Sequence, residues 1–147
     1  YKRSVSLLIF SPFFEIKNLT FTSLQKNYGQ EQITQFNLEG KIVDFYKNKI
    51  VGSNNKFEDT ISIIKNMDLV ITVDTAVAHI SATLGKETWI LLPLVNDFRW
   101  GTKNEKTVWY KNVKLFRQTK INQWQDVVIK IKKNLENLID KKTTDKI

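Results

Sequence analysis

The spacing of apolar positions changes character near residue 55, and the two halves of the chain predict elements of unequal clarity. Ser4 to Ile16 is apolar at Leu7, Leu8, Phe10, Phe13 and Phe14. This spacing predicts a buried helix, with Pro12 as a kink or break because it has no N–H and crowds the preceding turn. Leu19 to Leu24 (LTFTSL) is β-branched and aromatic with partial alternation, so it reads as a strand that ends at Gln25-Lys26 before a polar loop through Gly29. Ile42 to Phe45 is a shorter, weaker strand pattern.

From Asn55 onward the pattern sharpens. Asn55 can cap a helix whose first turn carries Glu58 and Asp59, favourable at the positive end of the dipole. Phe57, Ile61, Ile64 and Met67 follow helical spacing up to a stop at Asp68. Leu69 to Val73 (LVITV) has strand length and the apolar, β-branched content of a parallel strand covered on both faces. Asp74-Thr75 then opens a second helix, Ala76 to Leu84, ended by Gly85, and Thr88 to Leu92 (TWILL) is the next buried strand. Strand, turn, helix, glycine and strand form a βαβ unit, whose crossover is expected to be right-handed.

After Pro93 comes an aromatic loop with Phe98, Arg99, Trp100, Trp109 and Tyr110, then a short strand at Val113 to Phe116. The last element reads as one long helix. Asn122 and Gln125 have the spacing of an N-cap and capping box, and Trp124, Val127, Val128, Ile131, Leu135, Leu138 and Ile139 trace one apolar stripe. Alternating strands and helices predict an α/β protein with a mainly parallel sheet. No repeat, low-complexity stretch or Pro/Gly/Ser-rich linker interrupts the sequence, so a single domain over residues 1–147 is expected.

Composition narrows the chemistry. The 147 residues are 41% hydrophobic and 26% charged, the balance of a folded globular domain. Zero cysteines and one histidine remove thiolate metal sites, disulfides and thiol nucleophiles, so no metal site is expected. No apolar run approaches the roughly 18 residues of a membrane span. With no cysteine and no basic-then-apolar leader, a cytoplasmic protein is expected. The chain starts at Tyr1, which suggests that it is part of a larger functional unit.

The formal charge of +8 is concentrated at one end. Residues 103–147 hold 12 Lys+Arg against 5 Asp+Glu, whereas residues 1–102 hold 11 against 10. Only Arg3, Arg99 and Arg117 are arginines, and arginine dominates bidentate recognition of bases and phosphates. Lys130, Lys132, Lys133, Lys141 and Lys142 fall on the polar side or end of the last helix. A solvated helix face therefore accounts for the charge better than a nucleic-acid or anionic-membrane patch, and no nucleic-acid partner is expected.

In open α/β sheets ligands sit beyond the carboxyl ends of the strands, and Asp74-Thr75-Ala76-Val77-Ala78-His79 best fits that place. The N–H groups of Thr75, Ala76 and Val77 and the Thr75 hydroxyl can hold a phosphate at the helix start. Asp74 either accepts from sugar hydroxyls or caps the helix, and spacing alone does not decide between the two. His79 lies one turn beyond Thr75 on the same face; it either donates to the same ligand or bonds to the scaffold. Gln25 and Lys26 end a strand and would face the same crevice, or form a solvated turn. No Gly-x-Gly-x-x-Gly or P-loop pattern is present.

The run MDLVITVDTAVAHISATLGKETWILLP (Met67 to Pro93), with DFRW (Asp97 to Trp100), WYKNVKLFRQ (Trp109 to Gln118) and the earlier RSVSLLIF and SLQK, resembles the carboxy-terminal half of GT-B glycosyltransferases. The resemblance is to the heptosyltransferase-like domain that often follows tetratricopeptide repeats. It implies a Rossmann-like half that binds a nucleotide-sugar donor and needs no separate cofactor. An amino-terminal half before Tyr1 would supply the acceptor site and the catalytic base, so the isolated chain is expected to be inactive.

By the same resemblance, Thr75 and the Ala76 N–H would contact the diphosphate, Asp74 the transferred sugar and His79 the phosphate or sugar region. Gln25 and Lys26 match a donor contact, and Arg99 would neutralise phosphate. Ala76 stands where such enzymes often have glycine. Trp109 and Tyr110 are expected to pack over the sheet edge rather than to bind. The alternative is a non-catalytic interaction module that kept the fold.

Overall fold

The computed structural model describes residues 4–47 and 57–144; Asn55 lies outside them. The chain divides into two compact units, one of residues 1–5 and 53–127 and one of residues 6–52 and 128–147.

In the first unit, α2 (Glu58–Lys65) leads into β3 (Leu69–Val73), α3 (Ala76–Thr83), β4 (Glu87–Leu92) and β5 (Val113–Arg117). The three strands form a parallel sheet in the order β3-β4-β5, with Ile71 beside Trp89 and Ile90 beside Leu115. β4 is central. Its residues from Thr88 to Leu92 are all buried, as the TWILL run predicts. Each such aliphatic or aromatic side chain contributes about 1.5–3 kcal/mol on burial. Ala78 and Ala82 of α3 pack with Ile90, Leu92, Val113, Leu115 and Trp100 into one core cluster. Small residues on α3 bring its backbone close to the sheet and leave room for the Trp100 indole.

Helix α3 ends in a Schellman motif. Gly85 takes φ +76, its N–H bonds to the Ala82 carbonyl at 3.1 Å, and the Lys86 N–H reaches the Ser81 carbonyl at 3.1 Å. The buried Ser81 and Thr88 hydroxyls meet at 2.8 Å, tying α3 to the start of β4.

Several expectations are corrected in this unit. β3 is less covered than expected: only Val70 is buried and its other four residues are half-buried, and among the described residues β3 is an end strand, with a neighbour strand on one side alone. The buried face of α2 is Asp59, Thr60, Ile63 and Ile64, and Phe57 is exposed. That face is turned about one residue from the predicted stripe, which shared only Ile64 with it. The helix also ends at Lys65, with Asn66 as C-cap, and not at Asp68.

In the second unit, β1 (Phe21–Thr22) and β2 (Ile42–Val43) pair in parallel, and α1 (Gln32–Gln35) lies between them in sequence. Ile33, Leu38 and Ile42 form its core with Leu7, Phe14, Phe21 and Phe36 against them. The predicted opening helix is a 3-10 helix, Leu7–Phe13, and only Phe13 is buried. Pro12 lies inside it, where it removes the donor that an i→i−4 ladder needs. The strand expected over Leu19–Leu24 is ordered as a ladder only at Phe21–Thr22, followed by one further bond from the Ser23 N–H to the Val43 carbonyl at 2.9 Å. Ser23 then ends it, its hydroxyl accepting from the Gln25 N–H. The described strands thus fall into a two-stranded and a three-stranded sheet.

The last helix, α4 (Gln125–Thr144), runs from the first unit into the second. Val127, Val128, Ile131 and Leu135 are buried along it, as the stripe predicts. Asn122 is not its cap: it has φ +57, three residues before the first helical residue. The Thr119 hydroxyl instead bonds the Asp126 carboxylate at 2.9 Å. Lys130, Lys133 and Lys141 are exposed, and Lys132 approaches Glu136 at 4.0 Å one turn on.

Candidate functional site

The carboxyl end of β3 runs through Asp74 and Thr75 straight into α3. Thr75, not Asp74, is the N-cap residue, with extended backbone (φ −138, ψ 174), and its side chain makes no capping bond. Its carbonyl accepts from the Ala78 N–H at 3.1 Å. The N–H groups of Ala76 and Val77 are therefore left without an intrahelical partner or a side-chain cap. Thr75 and Ala76 are both exposed and Asp74 is buried. The exposed helix start, with its partial positive charge, is a place for an anion.

His79, one turn into α3, is half-buried. Its Nδ1 lies 3.1 Å from the Tyr110 hydroxyl, and its ring stacks on Trp100 with centroids 5.2 Å apart and an interplanar angle of 23°. The structure therefore gives His79 a scaffold bond through one nitrogen. Tyr110 packs against the core cluster, as expected of this loop. Trp109 departs from that expectation: it is 62% exposed, and its indole N–H donates to the Arg99 carbonyl at 2.9 Å. With Phe98, Val108 and Arg99 it borders an open depression of about 210 Å³.

Arg99 makes a two-pronged pair with Asp97, at 2.9 Å to Oδ1 and 3.1 Å to Oδ2. Asp97 also caps the short 3-10 helix Phe98–Trp100. The hydrogen bond to Asp97 and then its charge, with smaller contributions from Asp74 and Tyr110, hold the Arg99 pKa above the usual arginine value. The guanidinium is charged and exposed, but it already has a carboxylate partner.

Arg117, at the end of β5, was not among the predicted site residues. Its guanidinium donates to Asn96 Oδ1 at 2.7 Å and to the carbonyls of Trp100 and Asn104. Asn96 in turn donates to the Asp97 and Gly101 carbonyls. Arg117 thus fixes the loop that presents Asp97, Arg99 and Trp100, and burial lowers its pKa. An arginine closing the strand Val113–Arg117, after the apolar Leu115 and Phe116, is the available signal. Thr72 was also passed over. It is the one hydroxyl within LVITV, and its Oγ1 lies 3.3 Å from that of Thr75.

Asp74, Thr75, Ala76, His79 and Arg99 all belong to the first unit, whereas Gln25 and Lys26 belong to the second. Gln25 closes its own turn, its side-chain amide donating to the Tyr28 carbonyl at 2.6 Å. The Lys26 ammonium lies 4.7 Å from the centre of the Tyr46 ring. Among the described residues no group of three or more His, Asp or Glu is placed to hold a metal ion. No described helix is long and apolar enough to cross a membrane.

Parallel strands flanked by helices, with a strand end opening directly onto a helix start, define an α/β, Rossmann-like arrangement. The sequence matches glycosyltransferase family 9 (heptosyltransferase) over residues 41–125, more than half of the chain, and the chain belongs to that family. The matched segment contains the whole β3–α3–β4–β5 unit. No curated protein and no solved structure matches the chain.

Proposed function

We propose that this glycosyltransferase domain is the donor-binding half of a GT-B enzyme that transfers a sugar from a nucleoside-diphosphate donor. The observation that carries the reading is the open start of α3: exposed Thr75 and Ala76, uncapped N–H groups and a positive dipole end at the carboxyl end of a parallel strand. In this reading the Ala76 and Val77 N–H groups hold the diphosphate and offset the charge that builds on it as the sugar leaves. Asp74 accepts from hydroxyls of the transferred sugar, and the free nitrogen of His79 faces the phosphate or sugar. Arg99 adds positive charge at the edge of the site.

The donor is the substrate and no additional cofactor takes part. The acceptor-activating base belongs to an amino-terminal half, with inversion at the sugar carbon, and a tetratricopeptide array is the expected neighbour of the whole. The isolated chain binds donor without turnover, in the cytoplasm. The second reading, a non-catalytic interaction module, is favoured by one pair of facts: the His79 Nδ1 and the Arg99 fork are already engaged by Tyr110 and Asp97.

Calorimetric titration with UDP, ADP and GDP, and with their sugars, tests the two against each other. Saturable binding of one nucleotide supports the donor site and names its base. No binding by this chain or by the full-length protein supports the interaction module and overturns the donor reading.

A further inference from the structure

The loop between β4 and β5 turns apolar side chains outward. Phe98 is 86% exposed, Val108 92% and Trp109 62%, all bordering the open depression of about 210 Å³. Single apolar residues on a surface are ordinary, but three large ones around one depression mark a contact surface. They do not sit on a loose segment. The Trp109 indole N–H is held by the Arg99 carbonyl, and the Arg99 fork by Asp97. From β5, Arg117 donates to the carbonyls of Trp100 and Asn104, and the Leu115 N–H donates to the Glu105 carbonyl at 2.7 Å. The loop is anchored without burying these groups, so their hydrophobic gain is left for association and little ordering is needed on binding.

Charge narrows the occupant. Residues 98–111 hold Arg99, Lys103, Lys106 and Lys111 against Glu105 alone. Glu105 faces Lys114 at 3.9 Å and Arg99 is paired with Asp97, whereas Lys103 and Lys106 are exposed with no carboxylate partner among the described residues. A second copy of this chain fits poorly, because a two-fold contact sets the same cationic patch against itself. Val108 has no ring on which a base or a sugar could stack. Val108 and Phe98 instead suit apolar pockets of a protein, with Trp109 and Arg99, residue types favoured at interface centres, beside them.

We propose that the Phe98–Trp109 loop is a docking surface for an acidic segment of a partner protein that carries large apolar side chains. The depression receives an apolar side chain of that segment, and Lys103 and Lys106 face its carboxylates at the rim. This surface stands independently of the proposed donor site.

The test uses a fluorescently labelled random copolymer of glutamate and tyrosine, with binding to this chain read by anisotropy. The copolymer binds saturably and more tightly than poly-glutamate, and a copolymer of lysine and tyrosine does not bind. The Phe98→Ser/Val108→Ser double variant weakens copolymer binding about tenfold, with Tm unchanged because both side chains are exposed. Lys106→Glu weakens binding and flattens its dependence on salt, and Lys130→Glu, the same charge change on α4, leaves binding unchanged. Lys106→Glu alters no apolar group, so it tests the surface even if the double variant loses stability. Equal affinity for copolymer and poly-glutamate overturns the proposal, as does an equal loss in Lys130→Glu, since either makes the attraction one of overall charge. So does the absence of saturable copolymer binding, or full affinity in a folded double variant. Tighter binding of polygalacturonate or oligothymidylate than of the copolymer replaces the protein partner with a saccharide or a nucleic acid.

Discussion

Replacing Ala76 with proline separates binding from folding at the proposed anion site. Ala76 is the first residue of α3, the position where proline is well accommodated because the lost N–H has no intrahelical acceptor. The residue before a proline must be extended, and Thr75 already is, at φ −138 and ψ 174. Ala76 is exposed, so the ring has room. Proline also restricts the unfolded chain, which stabilises a compatible site by about 0.4–1 kcal/mol, a Tm increase of about 1–4 °C at this size.

Binding moves the other way. A hydrogen bond to a charged group is worth about 1.5–3 kcal/mol, so removing the Ala76 N–H weakens nucleoside-diphosphate binding about 10- to 150-fold. Scanning calorimetry and titration calorimetry on the same preparation give both numbers. A protein with raised Tm and weakened binding supports the site. Unchanged affinity in a folded Ala76→Pro protein refutes the assignment of that N–H to the ligand. A Tm lowered by several degrees refutes the assignment of Ala76 to the first helical position.

Three further outcomes follow from particular contacts. Gly85→Ala lowers stability by about 1 kcal/mol in urea unfolding, wholly from the left-handed backbone, because a Cβ there meets nothing within 4 Å; Gly85→Asn loses less, and equal losses would refute the conformational account. Trp100→Ala costs about 3–5 kcal/mol, since the 2% exposed indole fills the cluster between α3 and the sheet and backs His79; a loss below about 1 kcal/mol, measured as a shift in urea midpoint, would refute that role. The hydrogen bond from Lys41, at 2.6 Å, and then its charge hold the Glu15 carboxyl below its ordinary value near 4.5. Because the folded pKa is the lower one, this contribution to stability is present above the unfolded value and fades as the pH falls through the folded value. NMR titration of Lys41→Met is expected to show Glu15 moving up toward its ordinary value, and an unmoved Glu15 would remove Lys41 as the cause.

The second half of the chain was legible because its signals are local. LVITV, the Asp74-Thr75 junction, Gly85 and TWILL mark strand, helix start, helix stop and buried strand by residue type alone, and the structure has each element within a residue or two of its predicted bounds. The first half was not. Its strands are two residues long, too short for alternation to register, and Pro12 turned an apolar run into a 3-10 helix with one buried residue. Among the candidate site residues, Asp74, Thr75, Ala76 and His79 were placed together by sequence proximity, since a strand end and the first helical turn are neighbours along the chain.

What sequence by itself determined about this protein is the α/β class, the βαβ core and the strand-to-helix junction, because short-range periodicity, turn chemistry and helix signals act over a few residues. Tertiary structure alone decided which polar groups were already spent. That Arg99 pairs with Asp97, that His79 bonds Tyr110 across 31 positions and stacks on Trp100, that Arg117 holds the loop from a neighbouring strand, and that the Thr75 hydroxyl lies beside that of Thr72 without capping its helix depend on side-chain directions in a packed fold. The supply of acceptors and donors at a site is set by what folds against it, and no spacing rule along the chain contains that information.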